Sequence, residues 1–259
     1  MIVTQETTTE YRLPINIGID IGQIHDPTAI CVSEVEQVDT GRVRITGKQT
    51  LGHHDDHGSW VPPTGSEPVM RSEYIVRFIK RLPLNTSYPD VAIYIADMLD
   101  NELFVNRNIR ILLDVTGVGR PVYNSLEREI SLRRNNTTYH LQMTVGGPTW
   151  KTGKHTLHLK PISFTYGETY NRSKGTLGKA FLVSRLQSIL QEKRIHGPDT
   201  PEMKATLDEL RVYQIKVSDE GKEQFGAKIG AHDDLAVAMA LSALEDPYSE
   251  RVFYSERVY

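Results

Sequence analysis

Two short apolar runs that carry an aspartate constrain the fold of this chain more than any other feature. Residues 15–21 read INIGIDI, with Asp20 near the end, and residues 109–114 read IRILLD, closed by Asp114. Apolar runs of this length, bounded by turn residues, indicate buried strands. A carboxylate in such a setting is costly to bury unless it is paired or binds a metal. The two runs therefore predict buried strands, and their aspartates, together with a third one near the end of the chain, suggest one acidic pocket built by the fold.

A third aspartate, Asp234, opens the helix-like run HDDLAVAMALSALE, which predicts a helix from about Asp233 to Leu244. Either aspartate could instead cap that helix, because aspartate is favoured at the N-cap. His232, which precedes the pair, could contact a metal, move a proton or cap the helix. Magnesium and manganese take oxygen ligands, and two such ions can activate a water and stabilise the leaving oxygen of a phosphodiester. Three carboxylates that converge from rigid elements would suit that chemistry.

The composition excludes several classes of protein. With 39% hydrophobic and 24% charged residues among 259, the chain has the make-up of an ordinary globular protein. No stretch approaches the roughly 18 continuous apolar residues of a membrane span, and the first residues lack a secretory pattern. The single cysteine, Cys31, excludes an intrachain disulfide and a cysteine-based zinc site. We expect one domain over residues 1–259, with no membrane insertion.

The net charge of −3 conceals a strong segregation of charge along the chain. From Arg133 to Arg194 there are eleven lysines and arginines but only two glutamates, a local charge of +9, so the remainder carries −12. A basic middle of this kind is a plausible footprint for a polyanion such as DNA. A solvated surface without a partner is the alternative.

Periodicity and turn signals predict the remaining elements. We expect a three-stranded antiparallel meander from residues 15–21, 28–36 and 42–51, with the hairpin turn at residues 39–41. Further strands are expected at 91–96, 109–114, 138–145 and from about Leu210, and helices at 70–82, 121–132, 179–190 and 233–244. Residues 146–178 are glycine-rich, basic and weakly periodic, and we expect a loop or hairpin insertion there.

Three segments together resemble the nuclease domain of phage large terminase subunits, a branch of the ribonuclease H-like fold. They are GIDIGQIHDPTAI, LLDVTGVG and GAHDDLAVAMALSALE, and the aspartates in them are separated by roughly 90 and 120 residues. The resemblance covers about residues 15–246. It implies a mixed central sheet, an antiparallel three-stranded meander plus parallel strands, flanked by helices. It also implies that two Mg²⁺ or Mn²⁺ ions are bound by Asp20, Asp114 and Asp234, with Asp233 and His232 beside them.

The sequence departs from that family in two respects. Many members carry a further acid three residues after the last aspartate, but this chain has Val237 there, which puts a fourth ligand in doubt. Large terminases also place an ATPase motor before the nuclease, and this chain contains no GxxxxGK[ST] phosphate loop. We therefore expect no ATPase domain in residues 1–259.

The resemblance implies metal-dependent endonucleolytic cleavage of double-stranded DNA, as when concatemers are cut during genome packaging in the host cytoplasm. The implied partners are DNA, a separate or missing packaging ATPase, a portal and a small terminase subunit. Phosphate contacts give affinity without sequence information, which suits a cutter of low specificity. From the basic segment we expect DNA backbone contacts by Lys151, Lys154, Arg172 and Lys174.

Three other functions are compatible with parts of the pattern. A Holliday-junction resolvase would share the fold and the carboxylates but would act on branched DNA. A sugar kinase or actin-like ATP-binding protein also carries glycine-rich turns like GIDIG and LDVTGVG, although those proteins generally need two such domains. A packaging module that docks a motor ATPase and has lost cleavage is the non-enzymatic alternative.

Overall fold

The computed structural model describes residues 13–22, 26–45, 53–54, 57–58, 60–61, 66–134, 140–144, 146–153, 155–212, 214–217, 223–226 and 233–248. None of the helices in these ranges combines the length and apolar content needed to cross a membrane.

The described ranges contain strands and helices in mixed order. The strands are β1 (Ile15–Asp20), β2 (Ala29–Ile45), β3 (His53–His54), β4 (Trp60–Val61), β5 (Ser66–Arg81), β6 (Ile109–Asp114), β7 (His140–Thr144), β8 (Gly147–Thr152), β9 (His155–Thr165), β10 (Tyr170–Asn171), β11 (Thr176–Gly178), β12 (Ile195–His196), β13 (Gln214–Val217) and β14 (Glu223–Gly226). The helices are α1 (Tyr88–Leu99), α2 (Gly119–Arg134), α3 (Lys179–Gln191), α4 (Pro201–Val212) and α5 (Asp234–Ser242).

One ten-stranded mixed sheet organises the molecule, with the strand order β10-β11-β9-β6-β1-β2-β5-β12 and the β7-β8 hairpin attached to β9. Strands β1, β6, β9 and β11 run parallel, whereas β2 is antiparallel to both β1 and β5. The carboxyl ends of the four parallel strands therefore lie at one edge of the sheet, where open α/β sheets bind ligands.

Side-chain alternation along β1 and β6 divides the core into two layers. Ile15, Ile17 and Ile19 of β1 pack with α1 and α2 in one buried cluster. Leu112 of β6 belongs to a second cluster on the opposite face, which is formed with α3, α4 and α5. In the register of the two strands, Gly18 lies beside Leu112, so Gly18 also faces α5. By the same alternation, the aspartates that end β1 and β6 face α5.

Gly18 allows α5 to lie directly against β1. A Cβ at this position would overlap the carbonyl oxygen of Ala238 and the backbone nitrogen of Ser242. The contact is reinforced by Asn16, whose Nδ2 donates to the carbonyl oxygens of Ser242 at 3.0 Å and Glu245 at 2.7 Å. Helix α5 is buried along its whole length. This close packing fixes the N-terminus of α5 relative to the end of β1.

Two elements differ in type from the prediction: one predicted helix is a strand, and one predicted strand is a helix. Of residues 70–82, predicted as a helix, all but Leu82 belong to strand β5, whose buried Ser72, Tyr74 and Val76 alternate with more exposed neighbours. Residues 91–96, predicted as a strand, belong to helix α1, which is capped by the Ser87 hydroxyl. Long pairing with β2 stabilises β5 as a strand, and burial at helical spacing stabilises α1.

The predicted hairpin at residues 39–41 is also wrong. Strand β2 continues through this point and pairs with β5 on both sides, as Asp39 lies opposite Met70 and Val43 opposite Pro68. The extra residues form a bulge, with Gly41 at a φ of 68°. The meander is therefore β1-β2-β5, and residues 46–51 of the predicted third strand lie outside the described residues.

Residues 146–178 are not an insertion, because they contain strand β9, which pairs with β6 over six residues inside the main sheet. The predicted strand from about Leu210 is corrected as well, since α4 continues to Val212 and β13 begins at Gln214. The strands predicted at 15–21, 109–114 and 138–145 are confirmed. So are the helices predicted at 121–132, 179–190 and 233–244.

Candidate functional site

Asp20 and Asp114 lie side by side at the carboxyl edge of the sheet. They are the last residues of β1 and β6, which are parallel neighbours with Ile19 beside Leu113. The next residue of each strand therefore brings the two carboxylates to the same edge, and both face the side covered by α5. Two apolar strands that end in aspartate thus produce a pair of acids at one point of the fold.

Helix α5 brings the third and fourth acids to the same place. Asp234 is its first residue and is 4% exposed, while Asp233 stands at the N-cap. The Asp233 side chain makes no capping hydrogen bond. Instead, the Glu209 carboxylate of α4 accepts the N–H of Ala236 at 2.8 Å. The capping role considered for the two aspartates is thus carried by Glu209.

These acids line one cavity of about 260 Å³. Its walls come from the ends of β1 and β6, the loop after β1, the turn after β6, and the starts of α3 and α5. The lining residues are Asp20, Ile21, Gly22, Asp26, Pro27, Asp114, Thr116, Gly117, Phe164, Lys179, Asp233 and Asp234. Within the part of the chain that the structure describes, Asp20, Asp114, Asp233 and Asp234 therefore meet as the sequence predicts.

The pKa values of Asp20 and Asp114 are both raised in the folded protein. Burial raises the pKa of Asp20 well above its ordinary value, and the charges of Asp114, Asp233 and Asp234 raise it further. Burial also raises the pKa of Asp114, although hydrogen bonds from Thr116 and the charge of Lys179 oppose that shift. Desolvation and mutual repulsion both disfavour the charged forms. The cavity therefore presents concentrated negative charge that a cation would stabilise.

The turn after β6 holds Asp114 in place. Its Oδ1 accepts the N–H of Thr116 at 2.7 Å, and the Thr116 hydroxyl accepts the N–H of Phe164 on β9 at 2.8 Å. Gly119 begins α2 directly against the carbonyl oxygen of Asp114, where a Cβ would overlap that oxygen. The LLDVTGVG segment thus works as a strand end, a tight turn and a helix start.

Lys179 is a cavity residue that the sequence analysis did not single out. It is the first residue of α3, and it follows β11, which is parallel to β9. Its charge lowers the pKa of both Asp20 and Asp114, and its Nζ lies 5.4 Å from the centre of the Phe164 ring. In sequence Lys179 looks like the other lysines and arginines of residues 133–194. Only the pairing of β11 with β9 shows that it reaches the cavity.

Asp26 also lines the cavity, in the turn that follows β1. It is exposed, whereas Val237, at the position of the missing fourth acid, is buried beside Leu182 and Leu186 in the second core cluster. Besides the four aspartates already described, the additional acid that lines the cavity is therefore Asp26, from the loop after β1. Position 237 of α5 does not supply it.

Asp234 has a cationic partner in this structure. The Arg81 Nε donates to its Oδ2 at 2.6 Å, and Nη2 of the same guanidinium lies 3.4 Å from Oδ1. Arg81 also pairs with Glu209. Arg81 is more than a hundred residues away from each of these two acids in sequence, so no local pattern could have revealed the contacts.

The donor set fits a hard divalent cation in its chemistry. Carboxylate oxygens are the ligands that magnesium and manganese prefer, and the pKa values of Asp20 and Asp114 are raised by burial despite the nearby charge of Lys179. In the described ranges, however, no three His, Cys, Asp or Glu side chains are close enough to enclose an ion as they stand. Asp20, Asp114, Asp233 and Asp234 are thus gathered around one cavity without forming a closed ligand shell.

The predicted DNA contacts are spread over the molecule. Lys151 pairs with Thr156 at the start of β9, whereas Asp114 pairs with Ile162. Six residues of strand place Lys151 about 20 Å from the acidic edge. Arg172 and Lys174 lie in the turn between β10 and β11, and the Nε of Arg172 lies 3.7 Å from Oε1 of Glu245. Lys154 and His232 lie outside the described residues.

The overall fold is similar to that of solved viral nucleases. The large terminase nuclease of the thermophilic phage G20c with bound magnesium matches at a TM-score of 0.50 and 15% identity, over 90% of this chain and 82% of that chain. The same nuclease with bound cobalt gives a TM-score of 0.50 and 15% identity, over 90% and 81% of the two chains. The Mn-soaked human cytomegalovirus terminase nuclease domain gives 0.48 and 10% identity, over 93% and 88%.

The fold is that of the large terminase nuclease domains. The predicted ribonuclease H-like architecture, a mixed sheet flanked by helices, is thereby confirmed. No protein-family model matches the sequence, and no curated protein matches it significantly. The likeness to the terminase nuclease fold is therefore carried by the structure, at an identity too low to indicate more than the fold.

Proposed function

We propose that this chain is a divalent-metal-dependent nuclease that cleaves double-stranded DNA by a two-metal mechanism, as a terminase nuclease does. The observation that carries the proposal is the meeting of Asp20, Asp114, Asp233 and Asp234 around one cavity at the carboxyl edge of the sheet. The fold shared with the magnesium-bound phage nuclease supports it. Magnesium or manganese is the expected cofactor.

The residues of the cavity have distinct roles in this proposal. Asp20 and Asp114 would hold the metals from rigid strand ends, and Asp234 with Asp233 would complete the set from α5. Asp26 is the candidate for an additional ligand, because it lines the same cavity. When bound there, divalent ions would supply activation of a water and stabilisation of the leaving oxygen of a phosphodiester. In this proposal the four aspartates would position the metal ions, and Lys179 would bind the phosphate of the bond that is cut.

The DNA path is proposed to cross the carboxyl edge of the sheet. Lys179 is in the cavity, and Lys174 lies in the turn that leads into β11, two strands from β6 and so about 10 Å across the sheet. Arg172 lies in the same turn. This path favours Lys174 and Arg172 over Lys151 among the predicted contacts. In a packaging role the nuclease would work with a motor ATPase, a portal and a small terminase subunit.

Cleavage of supercoiled plasmid tests the proposal directly. Wild-type protein is expected to nick and linearise the plasmid with Mn²⁺ or Mg²⁺ and to lose this activity with EDTA. Asp114→Asn is expected to reduce the rate on the order of 10²-fold or more, because a metal ligand is lost. Asp199→Asn is the matched control, since the Asp199 side chain is 86% exposed in a surface ion pair with Lys204.

The outcomes separate the candidate functions. No cleavage by wild type with any divalent metal would favour a docking module over a nuclease. Equal cleavage by wild type and Asp114→Asn would refute the assignment of the metal ligands. Cleavage confined to four-way junctions, with plasmid left intact, would indicate a resolvase.

Lys179 gives a second expected result. Lys179→Met removes the cation that faces Asp20 and Asp114 and is expected to slow plasmid cleavage on the order of 10²-fold, as loss of one group that binds a reacting anion does. Lys151→Met is the comparison, and it is expected to cleave within a few-fold of wild type because Lys151 lies on β8 beside the start of β9, far from the acidic edge. A larger loss in Lys151→Met than in Lys179→Met would place the DNA on the opposite edge of the sheet.

A further inference from the structure

Arg81, the last residue of β5, joins two acids from different helices beside the cavity. Its guanidinium contacts Asp234 at the start of α5 and Glu209 of α4. Both acids are buried, with residue exposures of 4% and 6%, while the Arg81 side chain is 31% exposed. An arginine between two buried carboxylates is a fixed arrangement, because its planar fork matches carboxylate geometry.

Glu209 strengthens this arrangement by a second contact. One of its oxygens pairs with Arg81, and the other accepts the N–H of Ala236 in the first turn of α5 at 2.8 Å. The same carboxylate therefore holds the helix that carries Asp234 and the guanidinium that binds Asp234. The side chain and the backbone of Asp234 are thus fixed from one point on α4.

The contact of Arg81 with Asp234 is unequal for the two oxygens. Oδ2 accepts from Nε at 2.6 Å, whereas Oδ1 is 3.4 Å from Nη2. In addition, one guanidinium balances only one of the two carboxylates, so the three groups keep a net negative charge. A cation in the cavity is consequently still attracted to Asp234.

We propose that Arg81 is a positioning residue for metal binding, which holds the Asp234 carboxylate beside the cavity through its contacts with both carboxylate oxygens. Glu209 keeps Arg81 in that place. This inference rests on the proposed function, since it concerns how the same cavity binds its metal. Neither residue belongs to the predicted ligand set.

Calorimetric titration of the full chain with Mn²⁺ tests the role without relying on cleavage. Arg81→Ala is expected to weaken Mn²⁺ binding on the order of 10- to 100-fold, the range found when a group that orients a metal ligand is removed. Arg81→Lys, which keeps the charge, is expected to recover part of the loss. Glu209→Gln is expected to weaken binding in the same direction, because Arg81 loses its anchor.

Arg77→Ala is the matched control. Arg77 lies on the same strand, and its Nε pairs with Glu34 at 2.7 Å, but its side chain is 59% exposed. It is expected to bind Mn²⁺ as wild type does. Thermal unfolding of each variant without metal shows which of them fold. If Arg81→Ala does not fold, the Mn²⁺ affinities of Arg81→Lys and Glu209→Gln decide the question.

Two failures are distinguishable. Wild type that binds Mn²⁺, together with folded Arg81 and Glu209 variants that bind it equally well, would overturn the role of Arg81 alone. Tighter binding by Arg81→Ala would do the same, because it would show that Arg81 competes with the metal. Wild type that binds no Mn²⁺ would overturn the proposed function and, with it, the role of Arg81.

Discussion

Asp20→Asn is expected to abolish metal-dependent cleavage while making the metal-free protein more stable. The loss of rate should be on the order of 10³-fold or more, since a metal ligand contributes several kcal/mol to stabilising the transition state. The gain in stability follows from burial of Asp20 and from the repulsion by Asp114, Asp233 and Asp234, which together raise its pKa. Asparagine keeps the shape and removes the charge. Stability and function would thus change in opposite directions.

The pH dependence of this gain has a definite sign. Because the pKa of Asp20 is raised in the folded state, folding takes up a proton between that raised value and the ordinary value of 3.8. The stabilising effect of protonation is complete below the ordinary value and is lost as pH rises through the raised one. The advantage of Asp20→Asn in thermal midpoint should therefore be largest at neutral pH and should fade in acid.

Thermal unfolding with and without Mn²⁺ checks both parts. Wild type should gain stability on adding Mn²⁺, because a ligand that binds only the folded state stabilises it, and Asp20→Asn should gain little. Asp199→Asn again serves as the surface control. A metal-free Asp20→Asn that is less stable than wild type at neutral pH would show that the acids do not repel one another as described.

Glu245→Gln is expected to destabilise the protein by about 3 to 5 kcal/mol, the range for breaking a buried ion pair by removing one partner. Glu245 follows α5 and forms a salt bridge with Lys160 of β9, and their side chains are 3% and 6% exposed. Tyr170 also donates its hydroxyl hydrogen to Glu245. Without the carboxylate, Lys160 is left as a buried charge without its ion-pair partner.

Burial by itself raises the pKa of Glu245, but the charge and hydrogen bond of Lys160, with smaller effects of Tyr170 and Arg172, outweigh it and lower the pKa. A lowered pKa means that the stabilisation is present above the ordinary value of 4.5 and is lost as pH falls through the lowered one. Urea unfolding of wild type and Glu245→Gln should therefore differ most at neutral pH.

The double variant Lys160→Met/Glu245→Gln is the matched control. It is expected to recover part of the lost stability, because no buried charge is left unpaired. A double variant as unstable as Glu245→Gln alone would show that the cost comes from lost packing and not from the unpaired lysine.

The acids were predictable because they depend on short patterns. An apolar run that ends in aspartate at 15–20 or 109–114 shows both its strand and its charge, and the run after Asp234 is too uniformly apolar to lie anywhere but in the core. Parallel pairing then brings the strand ends together. These features need no knowledge of distant contacts.

The exchanged elements show where local patterns are ambiguous. The spacing of Met70, Tyr74, Phe78 and Leu82 is four residues, which is close to a helical turn but is also a multiple of the strand period of two. In residues 91–96 the apolar run is too short to distinguish strand from buried helix. The decisive signal was the cap before it, where Ser87 binds the N–H of Asp90 and Pro89 stands in the first turn.

Lys179, Arg81 and Glu209 could not be found from sequence because their roles depend on register and on long-range packing. Lys179 reaches the cavity only because β11 is parallel to β9 and ends at the same edge. Arg81 contacts residues 128 and 153 positions away. Strand β9 was not predicted, because polar and charged residues alternate with its apolar ones. One of them, Lys160, is nevertheless buried, and its partner Glu245 is distant in sequence.

The contact between Gly18 and α5 has a consequence for how such a chain can diverge. The spacing of Asp20 and Asp234 is determined by a strand backbone lying directly against a helix, with backbone atoms of Ala238 and Ser242 nearest to Gly18. Side chains outside this contact, and other than Asn16, Arg81 and Glu209, can then be exchanged over evolutionary time without moving the two acids relative to each other. A substitution at residue 18 is the exception, since any Cβ there would push the helix, and its aspartate, away from the strand.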